Sequence, residues 1–170
     1  GQKLLGIGFI VIGVWLVDAG SGFVPKSTTE TGPLRSWMKT SGLAHADPSA
    51  DMPGAMLALD ASFVVRSAKA KRTVAARDWF EGPFESAMKS NELLTDIMIP
   101  LPARGTGMAY ESFEQAASGY PLVGAAAVVT RAKGNVLSAA LAFTGLGEVP
   151  FLAKGVEGLV GTDGSAASVT

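Results

Sequence analysis

The sequence predicts an α+β fold made of two parts. Three observations lead to this prediction: alternating apolar runs typical of β-strands, one apolar pattern with helical spacing, and a Pro- and Gly-rich break over residues 102–107. An apolar fraction of 48% is enough for a buried core, and a net charge of −1 without a basic stripe argues against nucleic acid as a partner. The chain has no cysteine, which excludes disulfides, thiolate metal sites and thiol catalysis within it.

Residues 1–41 stand apart from the rest of the sequence. Leu4–Val17 is an apolar stretch of fourteen residues without a charge, too short for a membrane span but of the length of a signal-peptide core. We expect a buried β segment with glycine turns here, with export as the alternative. Residues 20–42 are rich in Gly, Ser, Thr and Pro and indicate a loop or linker.

A helix is predicted to begin at Asp47-Pro48. Aspartate caps free backbone amides, and proline suits the first helical turn. The apolar residues that follow have the i, i+3, i+4, i+7 spacing of one buried face, namely Met52, Ala55, Met56 and Leu59.

Three more elements are predicted before the break. The β-prone runs 61–67 and 72–76 are joined by a short charged connector and indicate a hairpin. Residues 77–89 have the pattern of a helix or broken helix. Residues 92–100 alternate as a strand that prolines end, with one face made of Leu93, Thr95, Ile97 and Ile99.

After the break the pattern predicts a three-stranded antiparallel sheet followed by a helix. The strands are expected at 108–116, 122–131 and 135–145, with Gly134 in the turn between the last two. The closing helix is expected within residues 150–161.

His45, Asp47 and Asp51 lie close together in the stretch LAHADPSAD and raise three interpretations. A metal site would need further ligands, and no second histidine or recognised spacing is present, so we predict none. Asp47 could cap the helix beside a solvated Asp51, or Asp51 could accept hydrogen bonds from a ligand. The chain also lacks the G-x-S-x-G and G-x-G-x-x-G patterns of triad hydrolases and dinucleotide folds.

Five stretches in order along the chain match one family pattern: ADPSAD, RTVAARDWFEGPF, NELLTDIMIPLP, AYESFEQAASGYPLVGAAAVV and AALAFTGLGEVPFLA. They resemble the flavoprotein (medium) subunits of the molybdenum hydroxylases, the family of carbon monoxide, xanthine and aldehyde dehydrogenases. ADPSAD is similar to the family's D-P-x-x-D motif, and AALAFTGLGEVPFLA resembles a later hairpin strand and turn. The resemblance extends from about Gly42 to Thr162.

The resemblance implies a PCMH-type α+β domain that binds FAD, with three regions along this chain. These are an unmatched segment at 1–41, the C-terminal part of the FAD-binding domain at 42–102, and the flavoprotein C-terminal domain, whole or truncated, at 103–170. The implied function is an oxidoreductase subunit, inactive alone, that receives electrons from an iron–sulfur small subunit. That subunit receives them from a large subunit with the molybdenum cofactor, and the flavin passes them to an acceptor. A cytoplasmic location without a membrane is expected.

The resemblance also implies which residues contact FAD. Asp51 matches the family aspartate that contacts the cofactor, and Leu93 matches a strand position whose backbone lies along the flavin ring. Ser41 and Gly42 are candidates for backbone contacts. Glu114 falls where some relatives have a lysine near the flavin.

The sequence departs from the family pattern at MKTSG (38–42), where T-I-G-G-[NS] is expected, and upstream of it. The chain therefore resembles the C-terminal part of such a subunit joined to different N-terminal sequence. Because of these departures, a flavin-free remnant that only docks to partner subunits is the alternative function.

Overall fold

The computed structural model describes residues 42–117 and 121–165. The predicted N-terminal β segment, the linker and Ser41 lie outside these ranges. Within them the fold combines one α-helix with three antiparallel sheets, which confirms the α+β prediction. No helix in the described ranges is long and apolar enough to cross a membrane.

The elements before the Pro- and Gly-rich break are one helix and five short strands. Helix α1 spans Asp51–Ala58, and the strands are β1 (Ser62–Arg66), β2 (Lys71–Ala75), β3 (Phe80–Gly82), β4 (Glu85–Ser86) and β5 (Leu93–Met98). The order β2-β1-β5 forms one antiparallel sheet, and β3 pairs with β4 in a separate hairpin. The predicted hairpin of β1 and β2 is confirmed.

The elements after the break form a four-stranded antiparallel sheet in the order β6-β7-β8-β9. Its strands are β6 (Thr106–Glu114), β7 (Pro121–Ala132), β8 (Asn135–Thr144) and β9 (Phe151–Leu152). The three predicted strands are present, and the short β9 adds a fourth at the edge of β8. In place of an α-helix, the described part of the chain ends in a 3-10 helix at Val156–Leu159.

Helix α1 is buried on every side rather than along one face. All residues from Met52 to Ala58 are buried, because the helix packs against β7, β8 and β9 and shares a hydrophobic core with Phe63 and Val65 of β1. Small residues allow the contact with β8 to be close: a Cβ added at Gly54 would lie 3.6 Å from the Thr144 Cβ. The prediction of a single buried stripe was therefore too narrow.

The helix begins later than predicted. Its first residue is Asp51 and its N-cap is Ala50, which makes no side-chain cap hydrogen bond. The predicted cap Asp47 instead accepts the Ser49 N–H at 2.9 Å, which closes a local turn before the helix. Asp47 as the helix cap was therefore wrong, because its carboxylate has a nearer backbone donor.

The helix predicted for residues 77–89 was also wrong. A single 3-10 turn at Ala76–Asp78 leads into the β3–β4 hairpin, whose turn places Phe84 at a φ of 60°. Trp79 from this segment is fully buried, with its ring 4.6 Å from that of Phe63. Burial of this aromatic residue in the core, together with the Gly82-Pro83 turn, overrides the apparent helical spacing.

Strand β5 is confirmed, but its buried face differs from the predicted one. Leu93 is 61% exposed and Leu94 is 6% exposed. The register with β1 shifts between Val64 and Val65, leaving Thr95 as an extra residue in β5. This β-bulge breaks the alternation, so the residues that face the core are Leu94 before it and Ile97 after it.

Candidate functional site

The candidate site is built on the loop that precedes helix α1. Gly42 has a φ of 76°, and a Cβ there would lie 2.7 Å from the Ala50 Cβ, so this turn requires glycine. The Asp47 N–H donates to the Gly42 carbonyl at 2.8 Å and closes the loop on itself. The loop is therefore a compact turn that ends where Asp51 begins the helix.

The β3–β4 region holds the first half of this loop through three hydrogen bonds. The indole N–H of Trp79 donates to the Leu43 carbonyl at 3.0 Å, and the Ser86 hydroxyl donates to the Ala44 carbonyl at 3.1 Å. The Phe84 N–H donates to the Ala46 carbonyl at 3.1 Å. These bonds satisfy backbone acceptors that the irregular loop leaves without partners.

The end of strand β8 holds the second half of the loop. The Thr144 hydroxyl, 1% exposed, lies 2.8 Å from both the Pro48 and Ala50 carbonyl oxygens. The Gly145 N–H donates to the same Pro48 carbonyl at 3.0 Å. Thr144 therefore connects the four-stranded sheet to the residues immediately before Asp51.

Asp51 is exposed at the first position of α1, where backbone N–H groups and the helix dipole favour a negative charge. Its Oδ1 accepts a hydrogen bond from the Tyr110 hydroxyl in β6. Burial raises the pKa of Tyr110, and the hydrogen bond and charge of Asp51 raise it further. Tyr110 therefore keeps its proton and acts as a donor to Asp51 throughout the physiological range.

Leu93, the second predicted FAD contact, is the first residue of β5 and pairs with Arg66 at the end of β1. Asp51 and Leu93 belong to different elements, α1 and β5, and each is exposed.

An ion pair holds the loop that leads into Leu93. Arg72 donates from Nε and Nη2 to the two carboxylate oxygens of Glu92, at 2.8 and 2.7 Å, and also to the Ala87 carbonyl at 2.6 Å. Glu92 also accepts the Lys89 N–H at 2.9 Å. The Arg72 hydrogen bonds, followed by that of Lys89, lower the pKa of Glu92 to about 2.

Glu114 ends β6, four residues beyond Tyr110, and is exposed. Its charge is the smallest of the contributions that raise the pKa of the Tyr110 hydroxyl. The structure therefore relates Glu114 to the site through charge alone, whereas Asp51 and Tyr110 are in direct contact. Ser41 lies outside the described residues.

Several residues that build the site were not identified from the sequence. Tyr110 and Thr144 lie 59 and 94 or more positions from their partners in the Asp51 region. Nothing local to either residue indicates these contacts. Of these supporting contacts, only the pairing of Arg72 with Glu92 had an indication in the sequence. The two residues are oppositely charged, and each begins a predicted strand, at 72–76 and 92–100.

The side chains of His45, Asp47 and Asp51 do not form a common site. His45 is exposed, Asp47 is engaged with Ser49, and Asp51 with Tyr110. Across residues 42–117 and 121–165, no group of three or more His, Asp or Glu side chains is arranged to hold a metal ion.

Comparison with known proteins identifies the fold. The FAD binding domain in molybdopterin dehydrogenase matches residues 19–102. This match begins at residue 19, whereas the resemblance described above begins at about Gly42. The carbon monoxide dehydrogenase medium chain of Afipia carboxidovorans is 36% identical over 124 residues, which is 72% of this chain and 43% of that protein.

Two further relatives agree with this result. The glyceraldehyde dehydrogenase medium chain of Sulfolobus acidocaldarius is 35% identical over 116 residues, or 68% of this chain and 41% of that protein. A solved structure of reconstituted CO dehydrogenase from Oligotropha carboxidovorans superposes with a TM-score of 0.70 at 35% identity, covering 75% of this chain and 45% of the other.

The chain spans less than half the length of the curated relatives described here. The matched domain nevertheless gives FAD as the cofactor, and the superposed structure supports a PCMH-type α+β fold. The chain therefore belongs to the family of FAD-binding medium subunits of the molybdenum hydroxylases.

Proposed function

We propose that this chain is the flavin-carrying part of an electron-transfer subunit, in which the Asp51 end of helix α1 holds the flavin end of FAD. The observation that carries the proposal is the exposed carboxylate of Asp51 at the first position of α1, which the Tyr110 hydroxyl contacts. An iron–sulfur subunit that itself receives electrons from a molybdenum-cofactor subunit would be the electron donor. The isoalloxazine ring supplies the redox chemistry when it is bound.

Asp51 and Leu93, the two contacts that the resemblance implies, have side chains that suit a flavin. Asp51 is exposed and presents carboxylate oxygens, which accept hydrogen bonds from ring N–H or ribityl hydroxyl donors. Leu93 is 61% exposed and offers an apolar side chain for contact with a planar ring. Among the described residues, β5 has a strand on only one side, which leaves its outer backbone edge accessible to a ligand.

The supporting contacts make the site rigid before a ligand arrives. Thr144 fixes the turn before Asp51, and the Arg72–Glu92 pair fixes the turn before Leu93. A preorganised site avoids paying the ordering entropy at the moment of binding. We therefore assign these three residues a supporting role, without contact to the cofactor.

The proposal is tested by titrating the purified 170-residue chain with FAD and following flavin fluorescence. We expect saturable binding of micromolar strength or weaker, because Thr40 and Ser41 carry a Cβ where the family pattern has glycines that allow close backbone approach. Asp51→Ala should weaken this binding by about 1–3 kcal/mol, the cost of losing a hydrogen bond to a charged group.

A matched control is Asp78→Ala, which removes an exposed carboxylate from the 3-10 turn that follows β2, next to Arg77, whose partner Asp60 follows the C-terminal end of α1. Its FAD affinity should equal that of the unaltered chain. Equal affinity of Asp51→Ala and the unaltered chain would show that the flavin lies elsewhere.

The alternative function is a flavin-free module that docks to partner subunits. The observation in its favour is the sequence MKTSG in place of the double-glycine turn. Absence of saturable FAD binding up to millimolar flavin, by a chain that unfolds cooperatively, would favour this alternative over the flavin-carrying function.

A further inference from the structure

Tyr110 has a position that the flavin resemblance does not assign to any role. It lies in the middle of β6, in the four-stranded sheet, yet its hydroxyl reaches the first residue of α1 and donates to Asp51 Oδ1. The side chain is half-buried, while the carboxylate that it contacts is exposed. A fixed donor is therefore attached to a carboxylate that would otherwise rotate in solvent.

Gly124 in β7 makes this contact possible. A Cβ at this position would overlap the Tyr110 hydroxyl oxygen and would lie 2.8 Å from the Thr144 Cγ2. Gly124 is buried and faces Ser112 in β6 and Thr144 in β8. The missing side chain thus creates the space through which the phenol passes toward the helix.

We propose that Tyr110 is the positioning residue for the Asp51 carboxylate, holding one oxygen so that the second is directed to accept a hydrogen bond from the flavin. This inference rests on the proposed function, because it concerns how Asp51 receives its ligand. It also gives the four-stranded sheet a role in binding, because residues of β6 and β7 determine the orientation of the Asp51 carboxylate on α1. Loss of the phenol would leave the carboxylate in place but free to rotate.

The hydrogen bond itself is tested without flavin. Phenol ionisation is followed by ultraviolet absorbance in the 170-residue chain, with Tyr110→Phe used to assign the Tyr110 signal against that of Tyr120. We expect Asp51→Asn to lower the pKa of Tyr110, because the substitution removes the negative charge that helps to raise it. The charge of Glu114 also acts on this phenol and is the same in both proteins. An unchanged pKa of Tyr110 in Asp51→Asn would overturn the proposal.

The consequence for the ligand is tested by FAD titration of three variants. Tyr110→Phe should weaken FAD binding by about 5- to 20-fold, the effect of losing one hydrogen bond to a charged group. The double variant with Asp51→Ala should bind no more weakly than Asp51→Ala alone, because Tyr110 acts through Asp51. A purely structural role would instead weaken both backgrounds equally, and that result would overturn the proposal.

Gly124→Ala provides an independent perturbation, since it displaces the phenol without removing either partner of the hydrogen bond. It should reproduce the loss of FAD affinity, whereas Gly107→Ala in β6, where an added Cβ meets no atom within 4 Å, should not. If Tyr110→Phe binds FAD normally while Asp51→Ala does not, the positioning role fails and the proposed flavin site stands. If Asp51→Ala also binds normally, the flavin site fails together with it.

Discussion

Replacing Thr144 by valine should destabilise the chain and loosen the turn before Asp51. Valine has nearly the same shape as threonine, so no cavity is formed, and the change removes only the buried hydroxyl. That hydroxyl lies 2.8 Å from two carbonyl oxygens. A buried acceptor that loses its donor costs about 1–3 kcal/mol.

Two remaining contacts place the expected cost near the lower end of this range. The Pro48 carbonyl keeps the Gly145 N–H at 3.0 Å, and the Ala50 carbonyl, as the helix N-cap, is placed to accept the first intrahelical hydrogen bond. We therefore expect the free energy of unfolding to fall by about 1–1.5 kcal/mol. With a urea dependence of about 2 kcal/mol/M, the unfolding midpoint should fall by about 0.5–0.8 M.

The measurement is urea unfolding followed by circular dichroism, combined with amide exchange of Asp47 and Gly145. Thr130→Val is the matched control, because its hydroxyl pairs with that of Thr106 at 2.8 Å between β6 and β7, away from the loop. The control should leave the exchange of both amides unchanged. A midpoint for Thr144→Val equal to that of the unaltered chain, with unchanged amide exchange, would refute the anchoring role of this hydroxyl.

Further predictions concern pH and two glycines. Since the pKa of Glu92 is lowered from 4.5 to about 2 by its bonds to Arg72, the stability from this pair is present above pH 4.5 and is lost as the pH falls toward 2. The difference in urea midpoint between the unaltered chain and Glu92→Gln should therefore shrink over that interval, and a constant difference would contradict this. Gly54→Ala should raise the free energy of unfolding by about 0.5–1 kcal/mol, because the added methyl makes only ordinary contacts within the helix. Gly105→Ala should lower it by about 1–3 kcal/mol, since φ is 87° there and the methyl would strike the Arg131 carbonyl; thermal unfolding of both variants tests the opposite signs.

The elements that the sequence predicts correctly are those determined by neighbouring residues. The β7–β8 hairpin is an example: its two long apolar runs are joined by Lys133 and Gly134, whose φ angles of 51° and 90° form the tight turn that glycine favours. The β1–β2 hairpin follows from similarly local information. In both cases the pairing partner lies only a few residues away, so the pattern contains the contact.

The predictions that failed depend on competition between neighbouring groups. Asp47 could cap a helix or close a turn with Ser49, and both outcomes use the same carboxylate. The bulge at Thr95 likewise changes which residues of β5 face the core, although a continuous alternation is visible in the sequence. Small local differences in hydrogen bonding decided these outcomes, and residue types alone do not resolve them.

The candidate site shows why motif and structure contribute different parts of the functional argument. The D-P-x-x-D resemblance indicates Asp51 because this residue matches the position of the family aspartate. The partner that would orient this carboxylate is contributed by β6, and the space for that partner by a glycine in β7. A short motif can therefore identify the group that contacts a ligand, whereas the geometry of that group depends on residues more than 50 positions away. For this reason the phenol titration and the Gly124→Ala variant test the site more directly than substitution of the motif residues.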